Sequence, residues 1–252
     1  MIIKKKIDLL RKNGFVVIEN VFSKKFCESY IEKIERVLKK RIKKNKYVGS
    51  VNTIVLYNYF IEDNSLAKLI HHPLIDKFMT HLIDEDYVLI STAARNKKFF
   101  SLNNKGFKNS KASGNKWHTD NRYLSGRALK PSINYFAIIA LDDFFKDNGC
   151  TKFIPKSHLN NKKILKKYKN FSYMEAKKGS LIIMDSNLLH LAGVPSTINR
   201  WSIFNLYSPW FVKPYFQFTK LINKQKLSKK LQKILHFNSI PPIDYNKRTA
   251  TL

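Results

Sequence analysis

The sequence has few cysteines and no long apolar segment. Its two cysteines, Cys27 and Cys150, lie far apart and lack the paired spacing of a zinc site or a disulfide framework. No stretch reaches the ~18 consecutive apolar residues of a membrane span. The first residues interleave lysines with apolar side chains, so they lack the apolar core of a signal peptide. These absences predict a cytoplasmic protein without a membrane span.

Acidic residues are also scarce. The chain has 18 aspartates and glutamates against 47 lysines and arginines, a formal net charge of +29. Such a charge can indicate a nucleic acid, an anionic membrane surface or an acidic substrate as partner. The lysines are scattered from Lys4 to Lys247, however, and asparagine and isoleucine are abundant too, as coding bias towards A and T would produce. We favour a solvated lysine surface, with a polyanion partner as the alternative.

The remaining composition is that of a globular protein. Apolar residues make up 44% of the 252 residues and aromatic residues 13%, which is ample for a packed core. We expect a single domain over residues 1–252, with a core over about 8–215 and a basic helical extension over about 216–252. Oligomeric state cannot be read from these numbers.

The N-terminal part is predicted to be mainly helical. Its expected elements are a helix over 4–12, a strand over 15–18, a helix over 24–43 and a helical stretch over 65–83. Ser23 can cap the second helix. The last stretch is interrupted at His72-Pro73, because proline disfavours helix in the residue before it.

After Tyr87 the periodicity changes to that of short strands. The apolar runs cover 87–92, 133–141, 151–154, 180–185 and 201–207. They predict an all-β core, with Asp147-Asn148-Gly149 as a hairpin turn because Asn-Gly favours positive φ. The stretch 100–116 is rich in Asn, Lys, Ser and Gly and directly precedes His118, which indicates a mobile loop and a candidate lid. Residues 218–236 are expected to be helical again.

A possible metal site begins at Trp117-His118-Thr119-Asp120. In an extended segment residues i and i+2 point to the same side, so His118 and Asp120 can reach one ion. The pair alone is weak evidence for a metal site. With seven histidines and 18 acidic residues, about one such pair arises by chance in every two sequences of this composition. A second segment strengthens it: the apolar run from Gly179 ends in a polar turn and then presents His190, with Arg200 ten residues later.

Two imidazoles and one carboxylate form the facial triad of non-haem Fe(II) oxygenases, which leaves three coordination positions open. Zinc is the competing metal, but its catalytic sites commonly use a helix-borne glutamate and need no arginine behind the metal. Arg200 offers a planar fork suited to the far carboxylate of a 2-oxo diacid. Ser202 shares the inward face of the same strand and could add a hydroxyl to that carboxylate.

Together with further segments, the residues described above make the sequence resemble the phytanoyl-CoA dioxygenase family over roughly residues 8–215. The resembling blocks, in the family's order, are Asn13 to Phe22, Trp117 to Asp120, Ala140 to Asp143, Asp147 to Cys150, Ile154 to His158 and Gly179 to Arg200. The resemblance implies iron at His118, Asp120 and His190, and the 2-oxoglutarate carboxylate at Arg200. It also implies hydroxylation with O2, coupled to release of succinate and carbon dioxide. A mainly β fold is expected, a double-stranded β-helix of the jelly-roll or cupin type with N-terminal and C-terminal helices.

Some positions depart from the family. Ser180 stands where many members have Asp, Ile138 where some carry an aromatic residue, and Val194-Pro195 replaces a polar pair near the distal histidine. None of these changes removes a ligand, but they leave the minor cosubstrate contacts and the substrate pocket undefined. His158 is expected to stabilise a loop and not to bind metal.

We therefore predict an Fe(II)- and 2-oxoglutarate-dependent dioxygenase that hydroxylates a small molecule. Two alternatives follow from the charge: a polyanion-binding or nucleic-acid-binding protein on the same scaffold, and an oxygenase with a nucleic-acid substrate. The last would concentrate basic residues at the pocket mouth and make binding strongly salt-dependent, whereas the sequence spreads them along the chain. A nucleic-acid partner is thus less favoured.

Overall fold

A computed structural model describes residues 2–50, 53–97, 107–108, 116–121, 132–160, 164–193 and 198–239. The helices are α1 (Ile2–Asn13), α2 (Lys24–Lys43), α3 (Pro73–Leu82), α4 (Phe218–Leu221) and α5 (Lys229–Ile234). The strands are β1 (Phe15–Ile18), β2 (Gly49–Ser50), β3 (Thr53–Tyr57), β4 (Val88–Asn96), β5 (Phe107–Lys108), β6 (Tyr135–Ala140), β7 (Lys152–Phe153), β8 (Ser172–Tyr173), β9 (Leu181–Asp185), β10 (His190–Leu191) and β11 (Trp201–Ser208). Most of the predicted loop 100–116, and the pair Val194-Pro195, lie outside the described residues.

The predicted bounds of α2 are confirmed, whereas α1 extends beyond the predicted 4–12 at both ends. The predicted stretch 65–83 consists of a 3-10 segment, Asn64–Leu69, and α3. Local chemistry explains where α2 and α3 begin. Ser23 adopts an extended backbone and its hydroxyl accepts a hydrogen bond from the Phe26 N–H, which caps α2. Pro73 occupies the first turn of α3, where its missing N–H costs nothing, and the His72 ring accepts from the Leu74 N–H. Within the described ranges, no helix is both long and apolar enough to cross a membrane.

The strands form two sheets in a jelly-roll-like arrangement. The larger sheet has the order β1-β9-β6-β11-β4-β3-β2-β5, and its pairs are antiparallel except that between β2 and β5. The smaller sheet has the order β10-β7-β8 and is antiparallel. The predicted mainly β, double-stranded β-helix class is confirmed.

Strand β11 shows how side chains are divided between the two faces of the larger sheet. Trp201 and Ile203 join the apolar cluster that contains the helices. Phe204 and Leu206 contact a second cluster, which draws residues from both sheets, such as Ile138 and Phe153, and so lies between them. Because side chains alternate along a strand, Ser202 also faces the space between the sheets.

Two local predictions were wrong. Residues 146–148 form a 3-10 helix and only Gly149 has positive φ, so Asp147-Asn148-Gly149 is not a hairpin turn. The Asn148 side chain instead accepts from the Phe145 N–H and donates to Asp143 O, which outweighs the local Asn-Gly preference. The stretch 218–236 is divided into α4, a 3-10 turn and α5, where a longer helix was expected.

Candidate metal centre

Three side chains converge on one point at the edge of the smaller sheet. One ligand atom from each of His118, Asp120 and His190 lies within 4.8 Å of the other two. The His190 Nε2 atom is 3.2 Å from an Asp120 carboxylate oxygen, and the two imidazole ring centroids are 4.3 Å apart. Within the described part of the chain, no other group of three His, Cys, Asp or Glu side chains has this geometry. The structure thus brings together the three residues predicted from the sequence.

The backbone holds this arrangement. His118 and His190 form an isolated antiparallel bridge, in which each N–H donates to the other residue's carbonyl at 3.0 and 2.9 Å. The Asp120 N–H donates to Ser186 O at 2.9 Å, on the turn that leads into β10. Since residues i and i+2 share a side, this register directs His118 and Asp120 towards His190.

Both imidazoles are oriented by a carbonyl two residues earlier in the chain. His118 Nδ1 lies 2.7 Å from Lys116 O, and His190 Nδ1 lies 2.8 Å from Leu188 O. A carbonyl oxygen only accepts, so each Nδ1 carries the proton and each Nε2 keeps its lone pair for the site. Ligating histidines in metalloproteins are typically held in this way. The donor set of two neutral imidazoles and a carboxylate fits a divalent transition metal.

A buried network of amides and hydroxyls, not predicted from the sequence, ties the ligand segments together. Asn121 donates to Asn187 Oδ1 at 2.9 Å, and Asn134 donates to Asn121 Oδ1 at 2.7 Å. The Asn134 Oδ1 atom accepts in turn from the Ser208 hydroxyl at 2.6 Å. Because Asn121 follows Asp120 directly and Asn187 precedes His190 by three residues, the network fixes both ligand segments to β6 and β11.

Asp185 anchors the other end of this network. Its carboxylate accepts from the Ser132 hydroxyl and the Asn187 N–H, both at 2.7 Å. Burial raises the pKa of Asp185, although the hydrogen bonds from Ser132 and Asn187 favour the charged form. The polar turn after β9 is thus held by several buried hydrogen bonds.

Replacing Asn134 with alanine should disturb the metal site from a distance. The change leaves Asn121 Oδ1 without the Asn134 amide and Ser208 without its acceptor. We expect a loss of about 2–3 kcal/mol in the free energy of unfolding and a roughly 10–100-fold weaker metal affinity, as for other outer-shell changes. Denaturant unfolding and metal titration measure the two effects. Asn170→Ala, an exposed asparagine, is the control, and equal metal affinity in both variants would exclude a positioning role for the network.

Arg200 is buried against the turn at residues 148–149. Its Nε donates to Asn148 O at 3.2 Å, one terminal nitrogen donates to Gly149 O at 2.9 Å, and the guanidinium lies 4.3 Å from the Phe144 ring centroid. Burial lowers the pKa of Arg200 to about 10, which leaves it charged at neutral pH. The same turn contacts the chain after His190, because a Cβ at Gly193 would come within 2.3 Å of Gly149 O. The second terminal nitrogen of Arg200, Nη1, is buried and has no hydrogen-bond partner within the described ranges.

Ser202 lies on the inward face, as predicted from its spacing to Arg200. Its hydroxyl donates to Arg95 O, 3.2 Å away on the neighbouring strand β4. Arg95 itself places its guanidinium 4.7 Å from the centroid of the Phe204 ring. Lys97, two residues further on, is 8% exposed and donates to the Thr53 hydroxyl at 3.3 Å. Sequence reasoning missed Arg95 and Lys97; their i, i+2 spacing was the available signal.

Lys97 is an unusual buried cation. Burial lowers the pKa of Lys97 to about 7, and the charges of Arg200 and Arg95 act in the same direction. At pH values between the folded-state pKa and the ordinary pKa of lysine, the unfolded chain binds this proton and the folded chain largely does not. Folding stability therefore rises with pH through this window and falls as pH drops towards 7.

Lys97→Met should remove this pH dependence. Between about pH 7.5 and about pH 9.5, we expect the free energy of unfolding of the native chain to rise by about 2–3 kcal/mol relative to the variant, at ~1.4 kcal/mol per pH unit. Denaturant unfolding at several pH values measures the difference. Lys220→Met, which removes an exposed lysine, should follow the native curve. Parallel curves for the native chain and Lys97→Met would mean that Lys97 is not a depressed base.

His158 lies away from the three converging side chains. It is buried, its Nε2 lies 2.9 Å from Arg11 O, and it follows β7 in a 3-10 turn. This contact joins the turn to the end of α1, in agreement with the predicted loop-stabilising role. Trp117, beside the proximal ligand, packs against Tyr168 and Phe171.

Comparison with solved structures finds the same fold in several enzymes. HygX from Streptomyces hygroscopicus, solved with nickel, 2-oxoglutarate and hygromycin B, is 14% identical, with a TM-score of 0.62 over 87% of this chain and 94% of that one. The epimerase SnoN, solved with Fe3+, alpha-ketoglutarate and nogalamycin RO, is 15% identical, with a TM-score of 0.62 over 84% and 86%. The carbocyclase SnoK from nogalamycin biosynthesis is 17% identical, with a TM-score of 0.61 over 89% and 91%.

The sequence comparisons establish the family. No curated protein matches the chain. The family profile described as phytanoyl-CoA dioxygenase (PhyH) matches residues 10–197, about three quarters of the sequence, and the family uses Fe(II), 2-oxoglutarate and O2. The chain belongs to the phytanoyl-CoA dioxygenase family, within the Fe(II)- and 2-oxoglutarate-dependent oxygenases.

Proposed function

We propose that the protein hydroxylates a small molecule, with iron bound by His118, Asp120 and His190 and 2-oxoglutarate anchored by Arg200. One observation carries this assignment: three ligand atoms lie within 4.8 Å of one another while both imidazoles are oriented through Nδ1. In the balanced reaction, one oxygen atom of O2 enters the substrate and the other enters succinate, and the 2-oxo acid loses carbon dioxide.

The chain's own residues have distinct roles in this proposal. His118, Asp120 and His190 would hold the metal, and a triad of this kind leaves room for the cosubstrate and O2. Fe(II), when bound, supplies the activation of O2 that a protein side chain cannot perform. Lys116 and Leu188 carbonyls hold the imidazole tautomers, so that metal binding needs no proton rearrangement on the rings.

The distal carboxylate of 2-oxoglutarate is assigned to Arg200. Buried cations in proteins are almost always paired, and the unpartnered Nη1 of Arg200 can donate to an incoming carboxylate. Ser202 is the proposed second donor, provided that its hydroxyl turns from Arg95 O towards the ligand. These contacts would orient the oxo-acid end towards the metal.

A small-molecule substrate agrees with the structural neighbours. HygX is solved with hygromycin B and SnoN with nogalamycin RO. Because SnoN is an epimerase and SnoK a carbocyclase, the outcome of the reaction has to be measured for this chain. Hydroxylation is the outcome we propose.

Anaerobic titration with Fe(II) and 2-oxoglutarate tests the assignment first. We expect a weak visible charge-transfer band at one equivalent of each. A turnover screen with metabolite extracts, monitored by succinate formation and product mass, then tests the reaction. A product heavier than its substrate by one oxygen atom supports hydroxylation. A product of unchanged mass would indicate epimerisation in place of hydroxylation. A product that has lost two hydrogens would indicate ring closure or desaturation.

A further inference from the structure

Three cations share one buried corner on the inward face of the larger sheet. Trp201 pairs with Asn96 in the β11–β4 register, so Arg200 and Lys97 lie one residue beyond this pair on adjacent strands. Arg95 pairs with Ser202 in the same register. Arg200 is 3% exposed and Lys97 8% exposed. The two strands therefore bring three basic side chains together although the sequence separates Arg95 from Arg200 by more than a hundred residues.

The described part of the chain provides no carboxylate in ion-pair contact with this corner. Among the described residues, no carboxylate lies within 4.0 Å of the charged nitrogens of Arg95, Lys97 or Arg200. Asp142, whose charge acts on Arg200, already accepts from the Trp201 N–H and pairs with Lys178. The internal segments outside the described ranges contain no aspartate or glutamate in their sequence; they cover 51–52, 98–106, 109–115, 122–131, 161–163 and 194–197. Residues 240–252, also outside the described ranges, contain one acidic residue, Asp244.

Two buried donors in this corner have no hydrogen-bond partner among the described residues. They are Nη1 of Arg200 and Nε of Arg95. An unpaired buried cation is costly, so such groups are normally satisfied by an anion or a ligand. The guanidinium carbon of Arg95 lies over the Phe204 ring, 4.7 Å from its centroid, in a cation–π contact. The N–H donors of a guanidinium lie in its plane, so an oxyanion would bind at the edge of the fork.

The number of charges exceeds what 2-oxoglutarate needs. In the proposed function its oxo-acid end would lie at the metal, so that only the distal carboxylate, with one negative charge, would remain for the cationic corner. Arg200 alone matches that charge. We propose that Arg95 and Lys97 form a second oxyanion subsite beside Arg200, and that the substrate carries a carboxylate or phosphate group that occupies it. This inference rests on the proposed function and adds the chemical class of the substrate.

The test is anion binding to the anaerobic protein loaded with Fe(II) and saturating 2-oxoglutarate. Inorganic phosphate and butyrate are titrated separately by calorimetry, and the two arms distinguish a phosphate from a carboxylate substrate. We expect one of them to bind with 1:1 stoichiometry without displacing 2-oxoglutarate. Arg95→Gln and Lys97→Met should each weaken that anion by about ten- to a hundredfold, as expected for loss of a charge-assisted hydrogen bond. They should leave 2-oxoglutarate affinity within about threefold, since Arg200 remains.

Arg36→Gln, which removes an exposed arginine, is the matched control and should bind both ligands like the native protein. Two outcomes would overturn the second subsite: displacement of the anion by 2-oxoglutarate, or a loss of 2-oxoglutarate affinity in Arg95→Gln as large as in Arg200→Ala. Binding of neither anion would also overturn it. The visible band reports on the proposed function separately, so a normal band without anion binding rejects only the subsite.

Discussion

His190→Ala should abolish the visible band of the protein loaded with Fe(II) and 2-oxoglutarate. The substitution removes one of the three proposed ligands and leaves His118 and Asp120, too few to hold the metal against water. We expect metal affinity to fall by more than the roughly 10–100-fold that outer-shell changes cause. Absorbance under anaerobic conditions and metal titration measure both quantities.

The fold should survive this change, which makes the result interpretable. The bridge between His118 and His190 uses only backbone atoms, and alanine retains both of its hydrogen bonds. Circular dichroism and thermal unfolding check this point. His81→Ala removes an exposed histidine and should keep the full band. A His190→Ala variant that also keeps the band would show that the distal ligand is another residue.

Arg200→Ala should weaken 2-oxoglutarate by about 3–5 kcal/mol, the range for removing one partner of a buried ion pair, or roughly a hundred- to several-thousandfold. Metal binding should remain, because Arg200 contacts the 148–149 turn and Phe144, and supplies none of the three ligand atoms. Calorimetric titration of the metal-loaded protein measures the cosubstrate affinity.

Arg200→Lys separates charge from shape. Lysine keeps the positive charge but not the planar fork, so its affinity for 2-oxoglutarate should lie between those of the native protein and Arg200→Ala. Because Arg200 also bonds the Asn148 and Gly149 carbonyls, thermal unfolding of both variants checks that the turn persists. Unchanged cosubstrate affinity in Arg200→Ala would assign the distal carboxylate to Arg95 or Lys97.

Local sequence signals predicted many of the elements around the site. Ser23 marked the start of α2, and Pro73 marked the interruption of the helical stretch 65–83, through effects that involve only near neighbours. The strand 15–18 and the inward position of Ser202 followed from the two-residue repeat of strands. The same repeat placed His118 and Asp120 on one side of their segment. Each of these features depends on residues a few positions apart.

Features that depend on strand register were missed or mispredicted. The Asn-Gly pair indicated a hairpin, but the side chain of Asn148 bonds Phe145 and Asp143 and its carbonyl accepts from Arg200, which favours a 3-10 turn. The amide network joins Asn121, Asn134 and Asn187 from three separate segments. No local pattern reports such contacts, since each partner alone is an ordinary polar residue.

By itself, the sequence determined the types of candidate ligand, their order in the chain and the arginine that follows them, because these are matters of residue chemistry and short-range spacing. Tertiary structure alone decided that His190 pairs with His118, and that Arg95 and Lys97 lie beside Arg200. Both outcomes depend on the register of strands distant in sequence, which the packing of the apolar side chains on both faces of the larger sheet selects.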